Sequence, residues 1–273
     1  TSMIREYTRQ VLIDFVAAGI DPERSVVFRQ SDVKEHAELH LLLSMITPLG
    51  WLERCPTYKE QLQQLAEREI TTYGFLGYPV LMATDILIYK ADTVPVGEDQ
   101  LPHLELAREI ARRFNYMYSP VFPEPQAKLS KVTVLPGTDG RKMSKSYGNT
   151  IQIADPPERI REAVQSMVTD RARIHKSDPG HPDVCTVFAY HSAFAPEAAQ
   201  ERRGECEGAQ IGCVACKRQL ADTLISALAP IHERRRELEA TPGLVESILD
   251  DGAMRARPIA ARTLEEVRLA MRI

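Results

Sequence analysis

The chain has 273 residues, of which 44% are hydrophobic and 26% charged, with a formal net charge of −4. That length supports one large or two modest domains with a real core, and the composition is that of an ordinary soluble globular protein. With no apolar run long enough to span a bilayer and no signal-peptide pattern, a cytoplasmic location without membrane association is expected; the negative balance excludes a surface that attracts nucleic acid everywhere, but not a local basic face.

In chain order, Arg5, Val11, Leu12 and Phe15 stand at helical spacing, which predicts an amphipathic helix over 2–18 that Gly19 ends. The run Ser25-Val26-Val27-Phe28 predicts a short buried strand. Residues 35–45 read as a strongly apolar helix and 57–70 as a charged, Gln-rich one. A helix over 78–89 leads to a strand at 93–96, a turn at Gly97-Glu98 and a helix over 100–115. Strand, glycine turn and helix in that order make an α/β unit, and open parallel sheets bind ligands at the carboxyl ends of such strands. After Asn149 strand signals fade, and helices are expected at 157–168, 216–239, 245–250 and 263–271. The expected architecture is an α/β domain over 1–151 and a helical domain over 152–273. Because the chain opens inside a helix with no strand before it, a missing N-terminal segment is also expected.

Three groups of residues carry chemistry. In the run GRKMSKSYGN over 140–149, Lys142, Lys145, Ser144 and Ser146 crowd a loop entered through Pro136, Gly137, Asp139 and Gly140. Mobile ammonium groups on such a loop can meet polyphosphate charge as it develops in a transition state, although a lone K-x-x-K is ordinarily a solvated loop. Next, Tyr78, Met82, Asp85, Ile86 and Tyr89 share one helix face. A carboxylate among Met, Ile and Leu is costly without a donor, so Asp85 reads either as a paired structural acid or as a buried acceptor awaiting a ligand N–H or O–H. Last, Cys185, Cys206, Cys213 and Cys216 follow the spacing C-x20-C-x6-C-x2-C. Disulfides are rare in cytoplasmic proteins, and four thiolates suit zinc or a [4Fe–4S] cluster, which the spacing does not separate.

The pentad KMSKS resembles the second signature of class I aminoacyl-tRNA synthetases. The segments YPVLMATDILIY and VPVGEDQLPHLELAREIARRFN resemble the tryptophanyl-tRNA synthetases. The resemblance implies a Rossmann-like parallel-sheet domain followed by a helical anticodon-binding domain, with tryptophan, ATP, Mg2+ and tRNA(Trp) as substrates and cofactors. It implies that Asp85 accepts the indole N–H, that Met82 packs on the ring, and that Tyr78 and Gln100 hold the amino acid's polar end. Val96, Gly97 and Asp99 would lie at the edge where substrate and ribose sit. Lys142 and Lys145 would hold pyrophosphate, with Met143, Ser144 and Ser146 in the same phosphate loop.

The segment HAELHLLLSMITPLGWLERCPTYKE looks like the family's dimer-forming insertion, implying a homodimer. By resemblance to thermophilic bacterial members, the four cysteines would hold a [4Fe–4S] cluster, with zinc as the alternative. Lys217, Arg218, Arg234, Arg235 and Arg236 would face tRNA phosphates or form a solvated helix face. The family's first signature, of the HIGH type, is expected near the N-terminus and is not found. His36 and His40 in HAELH do not replace it, nor do they form the zinc-protease HExxH, since Glu38 stands one place too late; they read as surface or interface histidines. The chain as given is therefore expected to lack part of its ATP site, and activity that depends on it. The alternative is a non-catalytic paralogue that binds tRNA or tryptophan as a regulator.

Overall fold

The computed structural model describes residues 3–56, 58–59, 72–129, 135–144 and 147–273. In chain order the main elements are α1 (Ile4–Ala17), α2 (Glu35–Ile46), α3 (Leu49–Glu53), α4 (Tyr73–Leu87), β1 (Thr93–Val96), α5 (Leu101–Met117), β2 (Gln126–Leu129), α6 (Pro157–Ser166), α7 (Thr186–Phe194), α8 (Ala199–Glu207), α9 (Cys213–Ala240) and α10 (Leu244–Met271). They form two compact units, one of residues 22–131 with 246–273 and the other of 1–21 with 132–245. No helix among the described residues is long and apolar enough to cross a membrane.

The first unit is built on a parallel pair. Thr93 lies opposite Gln126 and Val96 opposite Leu129, and parallel neighbours need a crossover, which α5 supplies. His103, Leu104, Leu106, Ala107, Ile110, Ala111 and Phe114 recur every three or four residues along α5 and are buried. That stripe packs into one core with Leu39, Leu42, Leu43 and Ile46 of α2 and Val80, Ala83 and Leu87 of α4. Asn115 turns the chain from α5 toward β2. Its Oδ1 accepts from the N–H groups of Val121 (2.9 Å) and Phe122 (3.1 Å), and its Nδ2 donates to the Phe122 carbonyl (2.7 Å). Strand β2 escaped the sequence reading because Gln-Ala-Lys-Leu is short and carries no β-branched residue.

The two short helices expected at 245–250 and 263–271 are a single helix, α10, which runs through Pro258. A proline removes one helical hydrogen bond. Ala253, Ala256, Ala260, Leu264 and Val267 nevertheless keep one buried stripe on both sides of it, within the core of the first unit. The last helix therefore belongs with 22–131, and the compact units divide the chain differently from the expected boundary at 151/152.

The buried strand expected at 25–28 is also corrected: the segment has no regular secondary structure, and Ser25 and Val26 are exposed. It lies instead against α10, where a methyl at Gly252 would overlap the Val27 carbonyl. Gly252→Ala is therefore expected to lower stability by about 3 kcal/mol, the upper end for overpacking, because backbone rather than a yielding side chain opposes it. Urea denaturation would measure this, and an unchanged midpoint would contradict the packing described.

The second unit is helical. Ile160, Val164, Met167, Val187, Tyr190, Leu220, Leu224 and Leu228 of α6, α7, α9 and the turn after α6 form its core. Helix α1 is held to α9 by Arg235, which is buried and pairs with Asp14, Gln10 (2.6 Å) and Glu239 (3.0 Å). Arg234 Nε donates to the Ala17 carbonyl at 2.6 Å. Arg235 is thus buried in packing rather than facing phosphate, whereas Arg234 stays exposed. Helices α7 and α8 had no strong periodic signal, and the helix expected over 57–70 falls largely outside the described residues.

Candidate active site

In the first unit, Thr72 caps α4 by accepting from the Phe75 N–H at 3.3 Å. The face so started lines a cavity of about 580 Å3 with Phe75, Tyr78, Pro79 and Met82, to which Gln100 and His103 add polar groups. A largely apolar, aromatic hollow with polar groups in its lining suits an aromatic amino acid. Gln100 is oriented on both sides: its Nε2 donates to Asp99 (3.0 Å) and its Oε1 lies 3.1 Å from His103 Nδ1. Burial lowers the His103 pKa, with Asp99 opposing, so the neutral ring donates to Gln100. The Gly97 carbonyl accepts from the Gln100 N–H at 3.0 Å, fixing the turn after β1. The structure thus brings Tyr78, Met82 and Gln100 together. Val96 is half-buried in β1, and Gly97 and Asp99 are exposed beside it.

Asp85 is paired, the first of its two readings, but it is not fully buried. Its side chain is 40% exposed, and it already holds two donors. Both His36 Nδ1 and Gln30 Nε2 lie 2.7 Å from its Oδ1. His36, expected at a surface or interface, is buried, and its Nε2 lies 2.8 Å from the Tyr89 hydroxyl. Burial, with the Asp85 and Glu35 carboxylates adding, raises the Tyr89 pKa and keeps the phenol protonated. Burial likewise lowers the His40 pKa. A helix-face projection of 78–89 shows only one element, so partners arriving from residues 30 and 36 were invisible to it.

In the second unit the loop over 135–149 is organised by Asn149, which is 2% exposed. Its Oδ1 accepts from the Ser144 N–H (2.8 Å); its Nδ2 donates to Asp139 (2.8 Å) and to the Lys142 carbonyl (3.1 Å). Only glycine at 137 leaves room for that amide, since a Cβ there would overlap it. The bond from Asn149, with Arg141 adding, holds the Asp139 carboxyl down at about 2. Arg141 lies 4.7 Å over the Tyr147 ring. Lys142, Met143 and Ser144 thus stand on a braced turn, while Lys145 and Ser146 fall outside the described residues.

The four cysteines open or close helices: Cys185 precedes α7, Cys206 ends α8, and Cys213 and Cys216 begin α9. All are free thiols. Burial pushes Cys216 up to about 12, with Cys185, Cys206 and Cys213 adding and Arg202 opposing. Burial also raises Cys206, where Arg173 opposes and Cys185 and Cys213 add. The thiols are therefore within electrostatic reach of one another, but the expected ligand set is not assembled. Among the described residues, no three or more His, Cys, Asp or Glu form a group that could hold a metal ion. Neutral thiols take separate partners instead: Cys216 Sγ lies 3.4 Å from His191 Nε2 and Cys206 Sγ 3.9 Å from Arg173.

A family model described as class I tRNA synthetases (W and Y) matches residues 1–229. The chain belongs to this family. It is 53% identical over 274 residues to the tryptophan–tRNA ligase of Thermotoga maritima, covering 100% of this chain and 84% of that protein. The tryptophan–tRNA ligase of Aquifex aeolicus is 42% identical, with 100% and 87% covered. Among solved structures, tryptophanyl-tRNA synthetase from Campylobacter jejuni, complexed with ADP and tryptophan, superposes with a TM-score of 0.87 at 35% identity, covering 100% of this chain and 84% of that one.

Within this class I synthetase, sequence reading missed three residues that shape the site: His36, His103 and Asn149. His103 stands three residues from Gln100, a spacing that could have flagged it. Asn149 ends the signature run, but nothing local shows that its amide ties the run together. Of the remaining basic residues, Lys217 donates to the Gln165 carbonyl at 2.7 Å, and Arg236 stays exposed beside Glu233. Arg218 lines a basic hollow with Arg173, His175 and Lys176.

Proposed function

We propose that the chain is a tryptophan–tRNA ligase. An oxygen of the tryptophan carboxylate attacks the α-phosphorus of ATP, the α–β phosphoanhydride bond breaks, and pyrophosphate leaves. A terminal ribose hydroxyl of tRNA(Trp) then takes the aminoacyl group from the adenylate, releasing AMP. The observation that carries this reading is the aromatic hollow on α4, with Gln100 in its lining, in a chain 53% identical over its whole length to a tryptophan–tRNA ligase.

In this reading Met82 packs on the indole, Asp85 accepts its N–H, and Tyr78 and Gln100 hold the amino acid's polar end. Val96, Gly97 and Asp99 lie at the edge where tryptophan and ribose sit. Lys142 and Lys145, with Met143, Ser144 and Ser146 in the same loop, meet the departing pyrophosphate; bound Mg2+ supplies further neutralisation of phosphate charge. No side chain acts as a nucleophile, so catalysis lies in positioning and electrostatics. The test is exchange of pyrophosphate into ATP by the full-length enzyme, expected with tryptophan and not with tyrosine. Exchange driven by tyrosine would overturn it.

Two finer assignments belong to the same reading. Leu41, Met45 and Leu49 are exposed on α2 and α3, in the segment that resembles the dimer-forming insertion, which supports a homodimer; sedimentation velocity would decide. For the four cysteines we favour a [4Fe–4S] cluster over zinc, held by Cys185, Cys206, Cys213 and Cys216. Protein purified without oxygen is expected to carry about four irons per chain. Stoichiometric zinc without iron would overturn the cluster.

A further inference from the structure

His36 is the buried titratable group that the aminoacylation chemistry leaves unused. Its side chain is 4% exposed, while that of Asp85 is 40% exposed. The carboxylate can only accept, so the proton between them sits on His36 Nδ1, 2.7 Å from Oδ1. Its Nε2 lies 2.8 Å from the Tyr89 hydroxyl, so both ring nitrogens are engaged. Edge-on contacts with Phe28 (5.9 Å) and a tilted contact with Tyr89 (5.4 Å) hold the ring plane. Gln30 donates to the same Oδ1 at 2.7 Å. Two donors converge on one oxygen, and Oδ2 has no hydrogen-bond partner among the described residues.

We propose that His36 is a positioning residue that sets substrate specificity: with Nδ1–H fixed on Oδ1 of Asp85, it turns Oδ2 to the substrate as the acceptor for an indole N–H. The proposal rests on the reading of Asp85 as the tryptophan acceptor. The imidazole N–H holds one oxygen of the carboxylate and leaves the other for the substrate N–H. Tyr89 completes the device by engaging Nε2.

The experiment compares dissociation constants for tryptophan and for its benzothiophene analogue, in which sulfur replaces the indole N–H. Calorimetry would be run on wild type, His36→Leu, His36→Asn and Asp85→Ala. The amide nitrogen of Asn can stand where Nδ1 stands, so His36→Asn is expected to keep the preference for tryptophan within about threefold of wild type, whereas His36→Leu loses about tenfold of it. A side chain that only fills the core would lower both affinities in step and leave their ratio unchanged, which would overturn the proposal. Collapse of the ratio in Asp85→Ala but not in His36→Leu overturns the role of His36 alone. An unchanged ratio in Asp85→Ala overturns the reading beneath it. If His36→Leu does not fold, His36→Asn and the tautomer decide: nitrogen NMR of wild type is expected to show the proton on Nδ1, and a proton on Nε2 contradicts the proposal.

Discussion

Asp85→Ala is expected to cost the enzyme its choice of amino acid more than its fold. A site built to accept a substrate N–H rejects analogues without one by large factors, because its own polar group is otherwise left unpaired. Removing the acceptor should therefore cut the preference for tryptophan over its N–H-free analogue by about a hundredfold or more. The fold should largely survive, since Asp85 is half-exposed on α4 and the neighbouring core residues Ala83, Leu87 and Ile88 remain in place. Its removal does strand His36 Nδ1, a buried donor, and that predicts a loss of stability of about 1–3 kcal/mol. Calorimetric titration of both ligands, beside a thermal melt, separates the two effects. Wild-type selectivity in a folded Asp85→Ala protein would remove Asp85 from the binding site.

Asn149→Ala should do the reverse, sparing amino-acid binding and crippling the chemical step. The amide makes three bonds inside the 135–149 loop, to Ser144 N–H, Asp139 and the Lys142 carbonyl. Each lost partner leaves a polar group to be resolvated, at about 1–3 kcal/mol where it is buried. A loop so loosened no longer presents Lys142 at a fixed place. A displacement of about 1 Å in a positioning element can cost about a hundredfold in rate. Pyrophosphate exchange is expected to fall by about that factor, with the dissociation constant for tryptophan unchanged. The isosteric Asn149→Asp should be no milder, because it sets a second carboxylate against Asp139, whose own pKa is already held at about 2 by the amide it would lose. An Asn149→Asp enzyme with wild-type exchange would show that the brace does not serve catalysis.

Much of this molecule was legible as pattern. The strand at Thr93–Val96 and the helix after it, with its buried repeat from His103 to Phe114, follow from periodicity and a glycine turn. Tyr78, Met82 and Gln100 were identified by resemblance, and they do line one hollow. What stayed hidden depends on contacts between residues distant in sequence. Whether Asp85 was paired stayed open because its donors come from positions 30 and 36. Arg235 looked like part of a basic face because its partner Asp14 lies more than two hundred residues away in the chain. The terminal helix looked like two pieces because local propensity penalises Pro258, whereas the buried stripe from Ala253 to Val267 outweighs one missing hydrogen bond. In each case a local rule was overridden by tertiary packing.

The central claim is that the hollow on α4 selects tryptophan, and the most direct measurement is titration of the purified protein with tryptophan and with tyrosine. One tryptophan per chain, bound at least about a hundredfold more tightly than tyrosine, is the expected result, since a pocket that hydrogen-bonds its ligand discriminates on that scale. Equal binding of the two, or tighter binding of tyrosine, would contradict it.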